Sequence, residues 1–226
     1  MITDIRQEGE FGIKLTYRGN PTILKRKLLE DTPTYAIKTV TCNRNETPVV
    51  DEVLSLMMGT IPINQEIVEE LIGTREALIC KLHVVNNNKY EGSRNIINEA
   101  HPYTGIRIIT DHIKVLDIDG NETSICPCRY SDSLITILSN EFTINVSCSI
   151  EKGYGREHVK YSPVVLVGYK QTDKVGIYDV LVESKGLYNL DRLMSIIQSY
   201  STGVSTSLQE GTTSKGRRSK RERIIL

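Results

Sequence analysis

Apolar residues recur at every second position in three separated stretches of this chain. That period is compatible with little besides half-buried β-strands. Phe11, Ile13, Leu15 and Tyr17 form the first stretch, and Leu78, Cys80, Leu82 and Val84 the second. Phe142, Ile144, Val146, Cys148 and Ile150 form the third. Helical spacing punctuates them. Asn20 is a good N-cap and Pro21 a good first helical residue. The helix they start is predicted to reach about Asp31 and to end before Pro33, with Ile23, Leu24 and Leu28 as its apolar stripe. Val50, Val53, Leu54 and Met57 predict a short amphipathic helix, capped by Gly59 and followed by Pro62. A last helix starts after Asn189 and runs to about Gln209. Leu190, Leu193, Met194, Ile197 and Tyr200 fall on one of its faces, and Val204 and Leu208 extend the stripe. Tyr35 to Cys42, Val164 to Tyr169 and Val175 to Glu183 read as further strands. The region from Leu78 to Ile150 reads as mainly β, with polar loops at Asn86-Asn87-Asn88 and Asp119-Gly120-Asn121, the latter a hairpin signal. The expected fold class is mixed α/β, of the α+β kind.

At 226 residues the chain has room for one large domain or two small ones. Its 28 basic and 28 acidic residues balance, but unevenly. Lys215 to Arg223 holds six bases and one acid, so the rest is net acidic. Attraction to nucleic acid is therefore expected only from this tail, beyond the last helix, where disorder is expected. The tail reads as a nuclear signal, a phosphate contact or a solvated end. Five cysteines at irregular spacing (Cys42, Cys80, Cys126, Cys128 and Cys148) are no disulfide framework and fit a reducing, intracellular setting. Met1-Ile2-Thr3-Asp4 lacks the features of a signal peptide. No apolar run approaches the roughly 18 residues of a membrane span. A soluble protein of cytoplasm or nucleus, without membrane contact, is expected.

The segment Gly153-Tyr154-Gly155-Arg156-Glu157-His158-Val159-Lys160-Tyr161-Ser162-Pro163-Val164 combines glycines with charges. As a phosphate cradle in a nucleotide-handling enzyme it would need a helix after it, and Pro163 with a β-like run follows instead. The alternative is a structural bend, fixed by Glu157, His158 and Lys160. Cys126-Pro127-Cys128 offers two thiolates, but a structural zinc wants four ligands and His101 and His112 are not at finger-like spacing. An exposed or half-buried thiol pair without metal is expected, the alternative being a site completed by another chain. No nucleophile elbow or Cys-His signature is present, and Asp117 and Asp119 read as turn residues. Lys25, Arg26 and Lys27 precede Glu30 and Asp31, the weaker order for a helix. They read as a solvated face, a nucleic-acid contact or a protein contact. The last helix's stripe must be buried, inside the chain or against a partner.

Four segments together resemble the alpha/D subunit family of multisubunit RNA polymerases. Leu24-Lys25-Arg26-Lys27-Leu28-Leu29-Glu30-Asp31-Thr32-Pro33-Thr34-Tyr35-Ala36-Ile37 is similar to its Leu-Arg-Arg helix, Glu-Val-Pro-Thr and following strand. Arg44-Asn45, Asp51-Glu52-Val53-Leu54 and Met58-Gly59-Thr60-Ile61-Pro62-Ile63 resemble its Arg-Asn-Thr, Asp-Glu-x-Leu and Leu-Gly-Leu-Ile-Pro-Leu. The glycine loop is similar to Gly-x-Gly-Lys-Glu-His-Ala-Lys-Trp-Ser-Pro-Val, and Glu183-Ser184-Lys185-Gly186 to Glu-Ser-x-Gly. Lys25, Thr22 and Tyr161 depart from the pattern, no cysteine-rich zinc loop is visible, and the trimmed length fits a diverged form, viral or organellar.

The resemblance implies a discontinuous dimerisation domain (1–47 and 165–209), a mainly β insertion (48–164) and a basic tail (210–226). It implies a non-catalytic assembly subunit, without cofactor, that forms a heterodimer with a smaller alpha-like subunit. The dimer interface would use Ile23, Leu24, Leu28, Leu190, Leu193, Met194, Ile197 and Tyr200. Lys25, Arg26, Glu157, His158 and Lys160 would contact the second-largest polymerase subunit, with a small adaptor subunit nearby and DNA met only indirectly. The implied setting is intracellular, at the site of transcription, or in a virion for a viral form. A stand-alone nucleic-acid binder using the tail and an enzyme using the glycine loop are the competing readings.

Overall fold

The computed structural model describes residues 1–87 and 105–210, the side chains of 201–210 excepted. The basic tail, His101, Asn88 and the side chains of Val204 and Leu208 lie outside what is described. In chain order the elements begin with β1 (Ile2–Glu8), β2 (Gly12–Arg18), α1 (Pro21–Arg26), β3 (Pro33–Asn45), α2 (Asp51–Gly59) and α3 (Gln65–Ile72). They continue with β4 (Ala77–Val85), β5 (Ile106–Ile109), β6 (Ile113–Val115), β7 (Leu134–Leu138) and β8 (Thr143–Tyr154). The last are β9 (Val164–Gln171), β10 (Ile177–Ser184) and α4 (Leu190–Glu210). The result is a mixed α/β fold.

The first sheet is antiparallel, in the order β1-β2-β10-β9. Leu15 lies opposite Val180, Ile13 opposite Val182, and Val182 opposite Val167. This register puts Ile13, Leu15 and Tyr17 on one face, where alternation demanded. Leu24, Leu28, Leu193 and Ile197 of the helical segments close that face into a core. The Asn20 side chain caps α1 by accepting from the Thr22 amide at 3.0 Å. After Arg26 the helix widens into a π-type turn, Lys27–Asp31, whose terminal Thr32 hydroxyl donates to the Lys27 carbonyl. β1, which the periodicity did not predict, is an edge strand with no fully buried residue.

The second sheet runs β3-β8-β4-β6, and β5 and β7 form a separate ribbon. Ile150 lies between Ile37 and Leu78 in register, and Val146 opposite Leu82. A second buried cluster forms here, to which α2 contributes Leu54 and Met58, and α3 contributes Val68 and Ile72. The expected stripe on α2 is corrected. Leu54 and Met58 point inward, while Val50, Val53, Leu56 and Met57 are exposed by 61, 46, 67 and 37%. Val50 is the N-cap of this helix, so it sits outside the periodic face. β3 begins at Pro33 and pairs with β8 along its length, so the chain passes into the second sheet at Thr32–Pro33. It returns at Ser162–Val164, where β9 begins.

Candidate functional site

The glycine loop lies where the chain returns from the second sheet to the first, and its glycines are there for contact. A Cβ on Gly153 would lie 2.6 Å from the Tyr161 ring. One on Gly155 would lie 1.8 Å from the Leu29 carbonyl oxygen, in the π-type turn after α1. The loop is pinned to that turn. The Arg156 amide donates to the Glu30 carbonyl at 3.3 Å, and the Arg156 guanidinium sits 3.4 Å from the Asp31 carboxylate. The acids that looked misplaced at the helix end therefore have partners: Asp31 has Arg156, and Glu30 has Arg26 at 3.0 Å. No phosphate cradle results. The loop ends in a single 3-10 turn, Val159–Tyr161, and runs into β9.

Several polar groups in and around the loop hold it in place. His158 caps the 3-10 turn, its Nδ1 accepting from the Lys160 amide at 3.1 Å. Lys160 Nζ donates to the Ile37 carbonyl at 2.7 Å, tying the loop to β3. The Thr34 hydroxyl donates to the Tyr161 carbonyl at 2.6 Å. Lys185, after β10, donates from Nζ to the Val159 carbonyl at 2.8 Å, and its amide donates to Pro163. The Tyr188 hydroxyl donates to the Pro33 carbonyl at 2.9 Å. The Glu157 carboxylate accepts from the Tyr154 amide at 3.4 Å.

These contacts enclose a groove of about 190 Å³. Tyr35 and Ala36, Gly59 to Ile63, His158 to Lys160, and Lys185 with Leu187 line it. All four motif segments, separated by up to a hundred and more residues in sequence, thus converge on one surface. Burial pushes the Lys160 and Lys185 amines below their ordinary range, and the nearby Lys38 charge adds to the effect on Lys160. The Lys38 amine pairs with Glu151 at 2.7 Å, and its hydrogen bond holds that carboxyl below the usual range. Lys185 was legible only as part of its motif, and Lys38 carried no signal in the sequence.

The expected interface residues divide. Leu24 (2% exposed), Leu28, Leu193 and Ile197 (each 0%) are spent in the chain's own core. Ile23 stands 44% exposed, while Leu190, Met194 and Tyr200 are half-buried. Ile196, off the expected stripe, is half-buried too. Tyr200 links the two helical segments: its hydroxyl lies 3.1 Å from Thr32 Oγ1, and the Lys27 amine sits 5.5 Å over its ring. Of the five expected charged contacts, His158 and Lys160 line the groove, Glu157 is exposed in the loop, and Lys25 and Arg26 are exposed on α1.

Cys80 faces Cys148 across β4 and β8. Its hydrogen bond with Cys148, then burial, push its thiol up. Cys126 is half-buried, and the hydrogen bond from Cys128 pulls its thiol down to about 7. Among the described residues no group of three or more His, Cys, Asp or Glu could hold a metal ion. Nor is any described helix long and apolar enough to cross a membrane. Asp117 serves its turn, accepting from the amides of Asn121 and Asp119 at 2.8 and 2.9 Å.

No family model matches the chain. Curated proteins do. Over 186 residues it is 26% identical to DNA-directed RNA polymerases I and III subunit RPAC1 of Bos taurus, covering 76% of this chain and 53% of that protein. It is 26% identical over 166 residues to DNA-directed RNA polymerase subunit Rpo3 of Methanopyrus kandleri, covering 73% of this chain and 56% of that one. Over 165 residues it is 26% identical to DNA-directed RNA polymerase II subunit RPB3 of Schizosaccharomyces pombe, covering 65% and 50%. The chain spans about half the length of the curated relatives it matches. At the level of the family, the chain is homologous to the RPAC1-, Rpo3- and RPB3-like subunits of RNA polymerase.

Proposed function

We propose that this chain is a non-catalytic assembly subunit of a multisubunit DNA-dependent RNA polymerase. The observation that carries the reading is the convergence of the four family-like segments on the glycine loop. They build the crossing between two sheets, and polar groups of theirs hold it. In this reading phosphodiester chemistry belongs to other subunits. The first sheet with α1 and α4 is the dimerisation unit, the second sheet with its ribbon is the insertion, and the partner is a smaller alpha-like subunit. The pair then docks the second-largest subunit and a small adaptor subunit, and DNA is met only through them.

Because Leu24, Leu28, Leu193 and Ile197 are already buried, the partner would be met by Ile23, Leu190, Met194 and Tyr200, with Ile196 beside them. Burial there contributes roughly 25 cal/mol per Å², against a large loss of association entropy. Association would therefore stabilise the folded chain by mass action. Mild affinity purification of the chain, with mass-spectrometric identification of companions, tests the reading. Large polymerase subunits are expected. Specific micromolar binding of a nucleotide by the isolated chain would instead revive the enzyme reading.

A further inference from the structure

The groove is one of three adjoining hollows that share lining residues. Gly59 and Thr60 also line a hollow with Val40 and Leu56, and Thr60 to Pro62 line one with Met57 and Leu134. Apolar surface stands open along this face: Leu56 is 67% exposed, Leu134 49% and Val159 70%. The charges around it are of one sign. Lys38, Lys160 and Lys185 line the hollows, together with His158, whose Nδ1 accepts from the Lys160 amide, and no carboxylate does, in a chain that is neutral overall. Lys38 is neutralised by Glu151. Lys160 and Lys185 spend a hydrogen bond each on a main-chain carbonyl. Among the described residues neither amine has a carboxylate within ion-pair distance. Both are partly withdrawn from water, and the Glu151 charge felt at Lys160 is already paired with Lys38, which leaves an excess of positive charge beside an apolar groove.

We propose that this groove docks a segment of a partner protein in which an aliphatic side chain stands next to a carboxylate. The aliphatic group enters between Ile61, Pro62 and Val159, and the carboxylate meets Lys160 and Lys185. A cavity of about 150 Å³ holds a benzene ring, so about 190 Å³ accepts one branched or aromatic side chain. A phosphodiester backbone has the right charge but no group for the apolar lining of Tyr35, Ile61 and Leu187. The inference deepens the assembly reading by giving the chemistry of a second surface, one that uses no residue of α1 or α4.

A benzophenone cross-linker in place of Thr60, in the full chain purified mildly with its companions, tests it. The cross-linked peptide is expected to come from another protein and to carry Asp or Glu within a residue or two of an aliphatic residue. Val159→Glu adds a carboxylate at the exposed wall and lowers the cross-link yield about tenfold or more, since like charges across an interface are costly. Val159→Lys, equally polar but of the fitting sign, retains it. Cross-links to a second copy of this chain, to its own residues, to nucleic acid or to a peptide without an acid overturn the proposal, as do equal yields from Val159→Glu and Val159→Lys. If companions remain while these results fail, the docking chemistry alone is refuted. If no companion is present, the assembly reading falls with it.

Discussion

Replacing Gly155 with alanine puts a methyl group where the structure has none to spare. The new Cβ would lie 1.8 Å from the Leu29 carbonyl oxygen and 2.9 Å from its carbon. An ordinary C···O approach is about 3.3 Å, so loop and π-type turn must part by roughly 1.5 Å. That breaks the 3.3 Å hydrogen bond from Arg156 to Glu30, at about 1 kcal/mol. Overpacking strain adds about 1–3 kcal/mol. The lost flexibility of glycine in the unfolded chain returns about 0.4–1 kcal/mol. The exposed Arg156–Asp31 pair adds little. The net destabilisation is about 1–3.5 kcal/mol. At a urea m-value of about 2 kcal/mol/M the midpoint falls by about 1 M. Gly168→Ala is the control, because nothing lies within 4 Å of its added Cβ, and it should leave the midpoint near wild type. A Gly155→Ala protein within about 0.5 kcal/mol of wild type would refute the claim that these glycines exist for close packing.

Leu193→Asp should unfold the chain, because it forces a carboxylate into a 0% exposed site at no less than the roughly 2–5 kcal/mol of a buried Leu→Ala change. Ile23→Asp with Met194→Asp should leave the thermal transition nearly in place and abolish co-purification of the partner; a retained partner contradicts the proposed interface. Burial holds the Tyr188 phenol above its ordinary 10.0, so its contribution to stability is full below pH 10.0 and is lost as pH rises through the folded value. Tyr188→Phe should flatten alkaline unfolding above that pH, and an unchanged profile would contradict the assignment. Cys126, pulled down to about 7 by Cys128, should react with iodoacetamide with an inflection near that pH. Cys128→Ala should move the inflection up towards 9.0; an unmoved inflection would contradict the pairing.

Where one face of an element is buried in one neighbour, its pattern was readable. Ile13, Leu15 and Tyr17, or Ile144, Val146, Cys148 and Ile150, alternate because a single core lies beneath them. Asn20-Pro21 and Asn189 were readable because capping is local. β1 was not, since an edge strand held by backbone pairing needs little apolar content. α2 misled because it carries apolar residues on two faces, and only tertiary contact decides that Leu54 and Met58 turn inward. α3 has a cap at Asn64 and a run of Ile67, Val68, Leu71 and Ile72, a helix signal that the longer strand periods overshadow. The groove was the least legible part. Its motifs could each be recognised, but that Tyr35, Ile61, Lys160 and Lys185 share one surface is a property of the crossing between sheets. The burial of Leu24, Leu28, Leu193 and Ile197 has the same origin. A helical stripe looks alike whether its own sheet or a second chain covers it.

The most direct measurement is the native mass of the full chain as isolated under mild conditions, with every companion identified. A complex containing a smaller alpha-like chain and the large polymerase subunits is expected, with the smaller chain lost on Ile23→Asp with Met194→Asp. A homogeneous monomer, stable alone and without such companions, would contradict it.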